Sequence, residues 1–195
     1  MDFKKLVAVS RTRRVFDQSK PVSVDDLVDL VDTARLIPSG MNKQPLKYVV
    51  TADPEQCADI FPLLGWAGYL SEWDGPEDGE RPTGYIIILL DKDVASKAFV
   101  DQGIACQTIM LGAAEKGLGG CIIATVKRRK LAELLGLDDR FDILLVLALG
   151  APTEKVVIEP LPSSGKIEYW RTSDGIHHVP KRGLDELIVA RYPKK

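Results

Sequence analysis

The chain has 195 residues, a formal net charge of −2 and a hydrophobic content of 45%, which suits one soluble globular domain with a sizeable core. A net charge this close to zero creates no overall field that attracts nucleic acid or an anionic membrane, so we expect neither as a partner. Its apolar runs are shorter than the ~20 residues needed to cross a bilayer, and its N-terminus does not resemble a signal peptide.

The cysteines and histidines favour no metal centre and no disulfide framework. Cys57, Cys106 and Cys121 are odd in number, lie far apart and form no CxxC pair. His177 and His178 are the only histidines and are adjacent, which does not match the spacing of a dedicated metal site. We therefore expect reduced thiols and a cytoplasmic protein.

The first candidate binding segment is basic and follows a short helix predicted over residues 2–9, with Phe3, Leu6 and Val7 facing inward. The stretch 10–16 contains three arginines within four positions and the hydroxyl of Thr12. Such a cluster can hold a phosphate through charge-assisted hydrogen bonds. A solvated basic turn is the alternative, because charged clusters usually lie on the surface.

The second candidate segment is the loop 38–45, between a predicted helix and a predicted strand. Ser23 opens that helix with Asp26 three residues later, as in a capping box, and the helix ends near Pro38. The loop is rich in prolines and side-chain amides, and the strand 46–51 follows it. It is either a ligand cradle or an ordinary connector, because turns need the same residue types.

A long excursion over residues 65–84 follows a short helix predicted over 53–64. It alternates aromatic residues with glycine, proline and acidic residues. A loop of this length is usually functional or disordered, and its aromatic content favours a lid or a pocket wall over disorder. Local packing beneath a long loop is the alternative. The aromatic candidates are Trp66, Tyr69 and Trp73.

The centre of the domain is predicted to be a buried strand over 85–90 and a long helix over 94–116. The helix is apolar or small nearly all round from Ile104 to Ala114, which is typical of a core or a subunit interface. Strands at 121–125 and 144–149 flank a helix at 127–135. Because the N-terminal region is helix-rich, we expect an α+β fold with a mixed sheet or, equally, a doubly wound fold.

The segment 151–182 carries four prolines and little periodicity, so we expect a tail that wraps the body or a partner subunit. It ends in a second basic pair, Lys181 and Arg182, before a last helix. If this pair folds beside Arg11 and Arg14, the two clusters would hold one phosphate. No linker or repeat divides the chain, so we treat residues 1–195 as a single domain.

Four segments together resemble the FMN-dependent nitroreductase family, as a short-chain member with an unassigned substrate. The first is Arg11-Thr12-x-Arg14-x-Phe16, similar to the family's R-S-x-R-x-F. The second is Ala34-Arg35-x-x-Pro38-Ser39-Gly40-x-Asn42-x-Gln44-Pro45, similar to A-R-x-A-P-S-x-x-N-x-Q-P. The third is Asp101-x-Gly103-x-Ala105-x-Gln107 followed by Gly117-Leu118-Gly119, and the fourth is Lys181-Arg182 before a Leu-x-x-Leu helix.

The resemblance implies an α+β homodimer with the long helix in the interface and two FMN sites, each built from both subunits. It implies that the FMN phosphate is bound by Arg11, Thr12 and Arg14 with Lys181 or Arg182. Pro38, Ser39 and Gly40 would approach the isoalloxazine ring from the partner chain, and Asn42 and Gln44 would hold polar atoms of the flavin. The backbone of Ile122, Ile123, Ala124 and Thr125 would face the ring.

By the same resemblance, the reaction is a ping-pong hydride transfer from NAD(P)H through the flavin to a nitroaromatic, quinone or enone. Ala124-Thr125 stands where the best-known members carry Glu-Gly, and the 65–84 excursion replaces their substrate-side helices, so the substrate does not transfer. Trp66, Tyr69 or Trp73 could cover the acceptor. The alternatives are reductive dehalogenation, flavin breakdown, or an FMN-binding or sensing protein without turnover. No GxGxxG follows a strand, so no separate NAD(P) domain is expected.

Overall fold

The computed structural model describes residues 1–193, and its main sheet has four strands in the order β1-β2-β4-β3. Each neighbouring pair in this sheet is antiparallel. Parallel pairing occurs where Thr12 bridges Gly120 at the sheet edge. The strands are β1 (Leu46–Thr51), β2 (Gly84–Asp91), β3 (Gly119–Ile123) and β4 (Phe141–Gly150).

Helices cover both faces of this sheet, which confirms the α+β prediction. They are α1 (Phe3–Val9), α2 (Val24–Ala34), α3 (Pro54–Ile60), α4 (Asp101–Glu115), α5 (Arg128–Leu134) and α6 (Leu184–Leu187), with 3₁₀ turns at Gly40–Asn42 and Phe61–Leu63. Within residues 1–193, no helix is both long and apolar enough to span a membrane.

Strand β2 is the core of the fold because all eight of its residues are buried. Side chains alternate between the two faces of a strand, so Ile86 and Ile88 join one hydrophobic cluster with α2 and α4. Ile87 and Leu89 join a second cluster with α3 and α5. The continuous apolar run in the sequence reflects burial on both faces.

Helix α4 is the longest helix of residues 1–193, but it begins at Asp101 rather than at the predicted residue 94. The amides of Val94 and Ala95 turn back to the carbonyl of Asp91. Phe99 has a φ of 50°, which a right-handed helix does not accommodate. A similar correction applies to α1, where Phe3 and Val7 are exposed rather than turned inward.

Strand β3 runs from Gly119 to Ile123 rather than over the predicted 121–125. Its glycines allow an unusually close approach by other parts of the chain. A Cβ atom at Gly120 would lie 2.6 Å from Leu149 Cδ2 and 2.7 Å from the carbonyl oxygen of Ala148. Only a residue without a side chain fits there, so β3 extends two residues further towards α4 than the β-branched pattern indicates.

The C-terminal segment 151–182 contains regular structure that its weak periodicity does not indicate. It forms a small three-stranded sheet in the order β5-β7-β6, with β5 and β7 parallel and β6 and β7 antiparallel. Few side chains of these strands are buried, which explains why the hydrophobic periodicity of the segment is weak. The strands are β5 (Val156–Pro160), β6 (Trp170–Arg171) and β7 (His177–Lys181).

His177 is a buried polar residue of this small sheet. Its side chain is buried, with 1% exposure, and its ring centroid lies 5.0 Å from that of Tyr169. Burial lowers the pKa of His177 to about 4, and the positive charges of Arg14 and Arg171 add to this effect. The imidazole is therefore neutral in the folded chain at neutral pH.

We expect the folded chain to lose stability in mild acid because of His177. Its pKa is about 4 when folded, against 6.5 as the ordinary value. Between these pH values the unfolded chain binds a proton that the folded chain does not, so the free energy of unfolding decreases as pH falls. The loss from this group is at most about 3 kcal/mol.

Urea titrations of the wild-type chain and of His177→Phe across this pH range test the expectation. Phenylalanine keeps an aromatic ring beside Tyr169 and cannot titrate. The variant should show a shallower pH dependence than the wild type between pH 6.5 and about 4. The same slope in both proteins would contradict the role of His177.

Candidate functional site

The basic segment 10–16 lies along the edge of β3 and is fixed at several points. Thr12 bridges Gly120, and the backbone N–H of Arg13 donates to the carbonyl of Gly120 at 2.7 Å. Phe16 is almost completely buried and packs on Gly150, where a Cβ atom would lie 2.8 Å from the ring. The arginine side chains are therefore presented by a held backbone rather than by a loose turn.

The guanidinium groups of Arg11 and Arg14 both have hydrogen-bond capacity to spare. Their Nε atoms are buried, and neither has a hydrogen-bond partner within residues 1–193. Arg11 lines a groove against α1 and α4, whereas the guanidinium of Arg14 lies 5.0 Å from the ring centroid of Tyr169. A buried donor without an acceptor is costly, so this arrangement suits an external anion.

Glu154 is a central residue that the sequence reasoning missed. Its side chain is only 3% exposed; Oε1 accepts the backbone N–H of Arg14, and Oε2 accepts from Nη2 of Arg171 at 3.2 Å. Its backbone carbonyl accepts from Nη1 of Arg13. One carboxylate thus holds the basic segment and the small sheet together, and no local sequence pattern announces it.

The contacts described for the second basic pair lie within the C-terminal segment. Arg182 pairs with Glu186 on the same terminal segment, and Lys181 is the last residue of β7. Within the described contacts, Arg171 rather than Lys181 or Arg182 is joined to the basic segment. Glu154 makes this connection. The phosphate role of Lys181 and Arg182 stays a prediction.

The loop 38–45 is attached to the first turn of α4 by Asp101. The hydroxyl of Ser39 donates to Oδ2 of Asp101 at 2.6 Å, and the backbone N–H of Gly40 donates to Oδ1 at 3.2 Å. Asp101 is buried. The amide N–H of Gln44 in turn donates to the hydroxyl of Ser39 at 2.9 Å, so the loop has a defined shape.

That shape exposes the loop's polar groups. Pro38, Gly40, Asn42 and Gln44 are exposed, and Ser39 is half-buried. The side-chain amide of Gln44 donates to both the backbone carbonyl and Oδ1 of Asn42 at 3.2 Å. Met41, Asn42 and Gln44 all have φ between 52° and 54°. Beneath the loop lies a pocket with about 530 Å³ of empty space.

The exit of β3 presents a neutral surface. Ile122, Ala124 and Thr125 are exposed, whereas Ile123 faces the second hydrophobic cluster, so only the backbone of Ile123 can meet a ligand on this side. The carbonyl of Thr125 accepts the N–H of Gly65 at 2.8 Å. This bond fixes the start of the excursion against the exit of β3.

The aromatic residues of the excursion 65–84 divide into two groups. Trp66 is half-buried and packs on Phe61, with ring centroids 5.5 Å apart; its role as a cover for the acceptor stays a prediction. The guanidinium of Arg171 lies 4.7 Å from the ring of Trp73. Tyr69 is 54% exposed, its ring lies 5.0 Å from that of Tyr169, and it remains a candidate contact for a substrate.

The donor set of the chain does not suggest a metal centre. Across the described part of the chain, no group of three or more His, Cys, Asp or Glu side chains is arranged to hold a metal ion. The three cysteines are buried and reduced, and burial raises the pKa of the Cys106 thiol to about 12. Thiolate chemistry at neutral pH is therefore disfavoured.

Comparison with known proteins agrees with this geometry. The chain is 26% identical over 207 aligned positions to a 4-nitrobenzoate reductase of Pseudomonas putida, covering 82% of this chain and 89% of that enzyme. A nitroreductase family protein of Streptococcus pneumoniae superposes with a TM-score of 0.72 at 20% identity, over 97% of this chain and 100% of the other.

A Desulfovibrio desulfuricans protein solved in complex with FMN superposes with a TM-score of 0.70 at 21% identity, over 99% of each chain. The sequence model of the Nitroreductase family matches residues 8–68 and 81–151, which include the basic segment, the loop 38–45 and all four strands of the main sheet. The chain therefore belongs to the Nitroreductase family.

Proposed function

We propose that the chain is an FMN-dependent oxidoreductase that takes electrons from NADH or NADPH and passes them to an electron-poor acceptor. The observation that carries this proposal is the pair of buried Nε donors on Arg11 and Arg14, which are held beside β3 and have no hydrogen-bond partner among residues 1–193. Family membership and the FMN complex of a protein with the same fold support it.

In this proposal the basic segment binds the phosphate of FMN. Guanidinium groups make charge-assisted, often bidentate, hydrogen bonds to phosphate oxygens. The free Nε donor of Arg14 satisfies that requirement, and Glu154 keeps its backbone in place. The hydroxyl of Thr12 adds a neutral donor on the edge of β3.

The flavin ring would lie between the exit of β3 of one chain and the loop 38–45 of the partner chain. The exposed side chains of Ile122 and Ala124 offer an apolar floor, and the amide groups of Asn42 and Gln44 offer donors and acceptors for polar ring edges. When bound, FMN supplies the hydride chemistry; the chain supplies binding, orientation and charge. Ala124-Thr125 stands where the best-known members of the family carry Glu-Gly, and a backbone N–H donor would survive that change.

The acceptor is proposed to be a nitroaromatic, a quinone or an enone. The 4-nitrobenzoate reductase relative supports a nitroaromatic, and the exposed ring of Tyr69 can stack on a planar acceptor. The excursion 65–84 is the part of the chain that would define which acceptor enters. Its attachment to the small sheet through Tyr169 and Arg171 keeps it close to the basic segment.

A visible spectrum of the purified chain, recorded before and after anaerobic addition of NADH or NADPH, tests the proposal. Flavin absorbance that disappears with either donor is the expected result and identifies the donor. Absorbance that persists with both donors would contradict an NAD(P)H oxidoreductase and leave an FMN-binding protein. A chain that stays colourless after incubation with FMN would refute the cofactor assignment.

Two matched variants separate the phosphate site from general effects of charge. Arg14→Gln should weaken FMN binding about 10- to 100-fold, because it removes a charge-assisted hydrogen bond. Arg129→Gln should leave the affinity unchanged, since Arg129 is 93% exposed on α5 and pairs with Glu133. Equal affinities of Arg14→Gln and the wild type, measured by flavin fluorescence, would contradict the assignment.

We further propose that the functional form is a homodimer in which α4 and the loop 38–45 meet the partner. Exposed apolar side chains concentrate near the start of α4 and on α1, where Phe99 is 73% and Phe3 is 69% exposed. Apolar surface of this extent on a water-soluble chain commonly marks an interface. Leu184, Leu187 and Val189 add to it at the C-terminal end.

Val100→Asp tests the dimer without harming the isolated fold. Val100 is 69% exposed and occupies the N-cap of α4, where Asp is favoured, but a carboxylate would be buried unpaired in an apolar interface. Sedimentation velocity should show a dimer for the wild type and a monomer with reduced FMN content for the variant. A monomeric wild type, or a dimeric variant with full FMN, would contradict this arrangement.

A further inference from the structure

A second pocket lies on the α3 side of the sheet, away from the candidate cofactor site. It contains about 600 Å³ of empty space, part of which is open to solvent. None of its lining residues belongs to the basic segment 10–16, the loop 38–45 or the exit of β3. Most of its wall is apolar, formed by residues that include Pro21, Pro54, Phe61 and Pro82.

Two donors in the wall have no acceptor. Tyr85 is completely buried, and within residues 1–193 neither its hydroxyl nor the buried Nε of Arg81 has a hydrogen-bond partner. Burial raises the pKa of Tyr85, and Arg81 is near enough to oppose this shift. The tyrosine is therefore a neutral O–H donor beside a cationic N–H donor.

Other polar groups of the pocket have partners within its wall. The Cys57 thiol donates to the carbonyl of Thr83 at 3.7 Å. Nη1 of Arg81 faces the exposed carboxylate of Asp78 at 3.6 Å. The outer edge of this guanidinium is thus engaged, while its Nε edge is buried.

The pocket is also held in shape. Oε1 of Gln18 accepts the backbone N–H groups of Gly79 at 2.9 Å and of Arg81 at 3.2 Å. The guanidinium of Arg81 stacks 4.5 Å from the ring centroid of Phe61. A preformed apolar pocket with a few convergent polar groups is typical of small-molecule sites.

We propose that this pocket binds a small organic carboxylate with a compact apolar body, whose oxygens accept from the Tyr85 hydroxyl and from Nε of Arg81. A carboxylate is an acceptor-only group, so it matches two donors, one of which belongs to a cationic guanidinium. The apolar body occupies the space between the prolines and Phe61. This site is separate from the proposed FMN site, so either can exist without the other.

Isothermal titration of the purified chain with cyclohexanecarboxylate tests the site. This acid is not planar, so it will not stack on a flavin as an aromatic acid could. We expect saturable binding of one molecule per chain with a dissociation constant of about 1 mM or lower. Cyclohexanecarboxamide should bind about tenfold more weakly, because it lacks the charge.

Tyr85→Phe and Arg81→Gln should each weaken carboxylate binding about tenfold, while Arg129→Gln leaves it unchanged. Tyr85→Phe removes an unpartnered hydroxyl, so its Tm without ligand should equal or exceed that of the wild type. The rise in Tm that the carboxylate gives the wild type should be largely lost in this variant.

Absence of saturable binding to the wild type up to about 10 mM would overturn the proposal, as would unchanged affinity in both Tyr85→Phe and Arg81→Gln. A fall in the Tm of Tyr85→Phe without ligand would also overturn it, since the hydroxyl would then have a structural partner. The titration is independent of the flavin spectrum, so failure of one does not imply failure of the other.

Discussion

The missing side chain at Gly120 is the constraint on which much of this structure depends. Because no Cβ atom intervenes, the carbonyl of Ala148 and the side chain of Leu149 approach β3 closely. The backbone of the basic segment pairs with the outer edge of Gly120. The position of the arginines, and of every group attached through them, follows from this contact.

Two buried carboxylates then connect distant parts of the chain. Asp101 binds the loop 38–45 to α4, and Glu154 binds the basic segment to the small sheet. Both oxygens of each carboxylate accept hydrogen bonds from N–H or O–H donors, which is how a protein stabilises buried negative charge. The two segments expected to contact a cofactor are therefore each positioned by one acid from elsewhere in the sequence.

Much of the fold could be predicted from local patterns. The continuous apolar run predicts β2, and the Ser23 cap predicts the start of α2. Both signals can be recognised in the sequence because they depend only on neighbouring residues. The predicted start of α4 was wrong because Phe99 has a left-handed conformation that its residue type does not indicate. The small sheet was missed because β5 pairs with β7, and this contact is remote in sequence.

The candidate site shows the same division between local and remote information. Thr12, Ser39, Asn42 and Gln44 could be singled out because short motifs contain them. Glu154 and Arg171 could not, since their role depends on a contact between segments about 140 residues apart, as between Arg14 and Glu154. Composition shows that tryptophans are present in the excursion 65–84, but it does not show that Trp66 packs on Phe61.

The left-handed backbone of the loop 38–45 has an energetic consequence. Met41, Asn42 and Gln44 each adopt a conformation that costs a non-glycine residue roughly 1 kcal/mol or more. The hydrogen bonds to the Asp101 carboxylate are each worth about 1.5–3 kcal/mol, so they are large enough to hold the loop in this state. The loop is therefore held in a strained conformation by Asp101. The orientation of the Asn42 amide thus depends on a residue of α4.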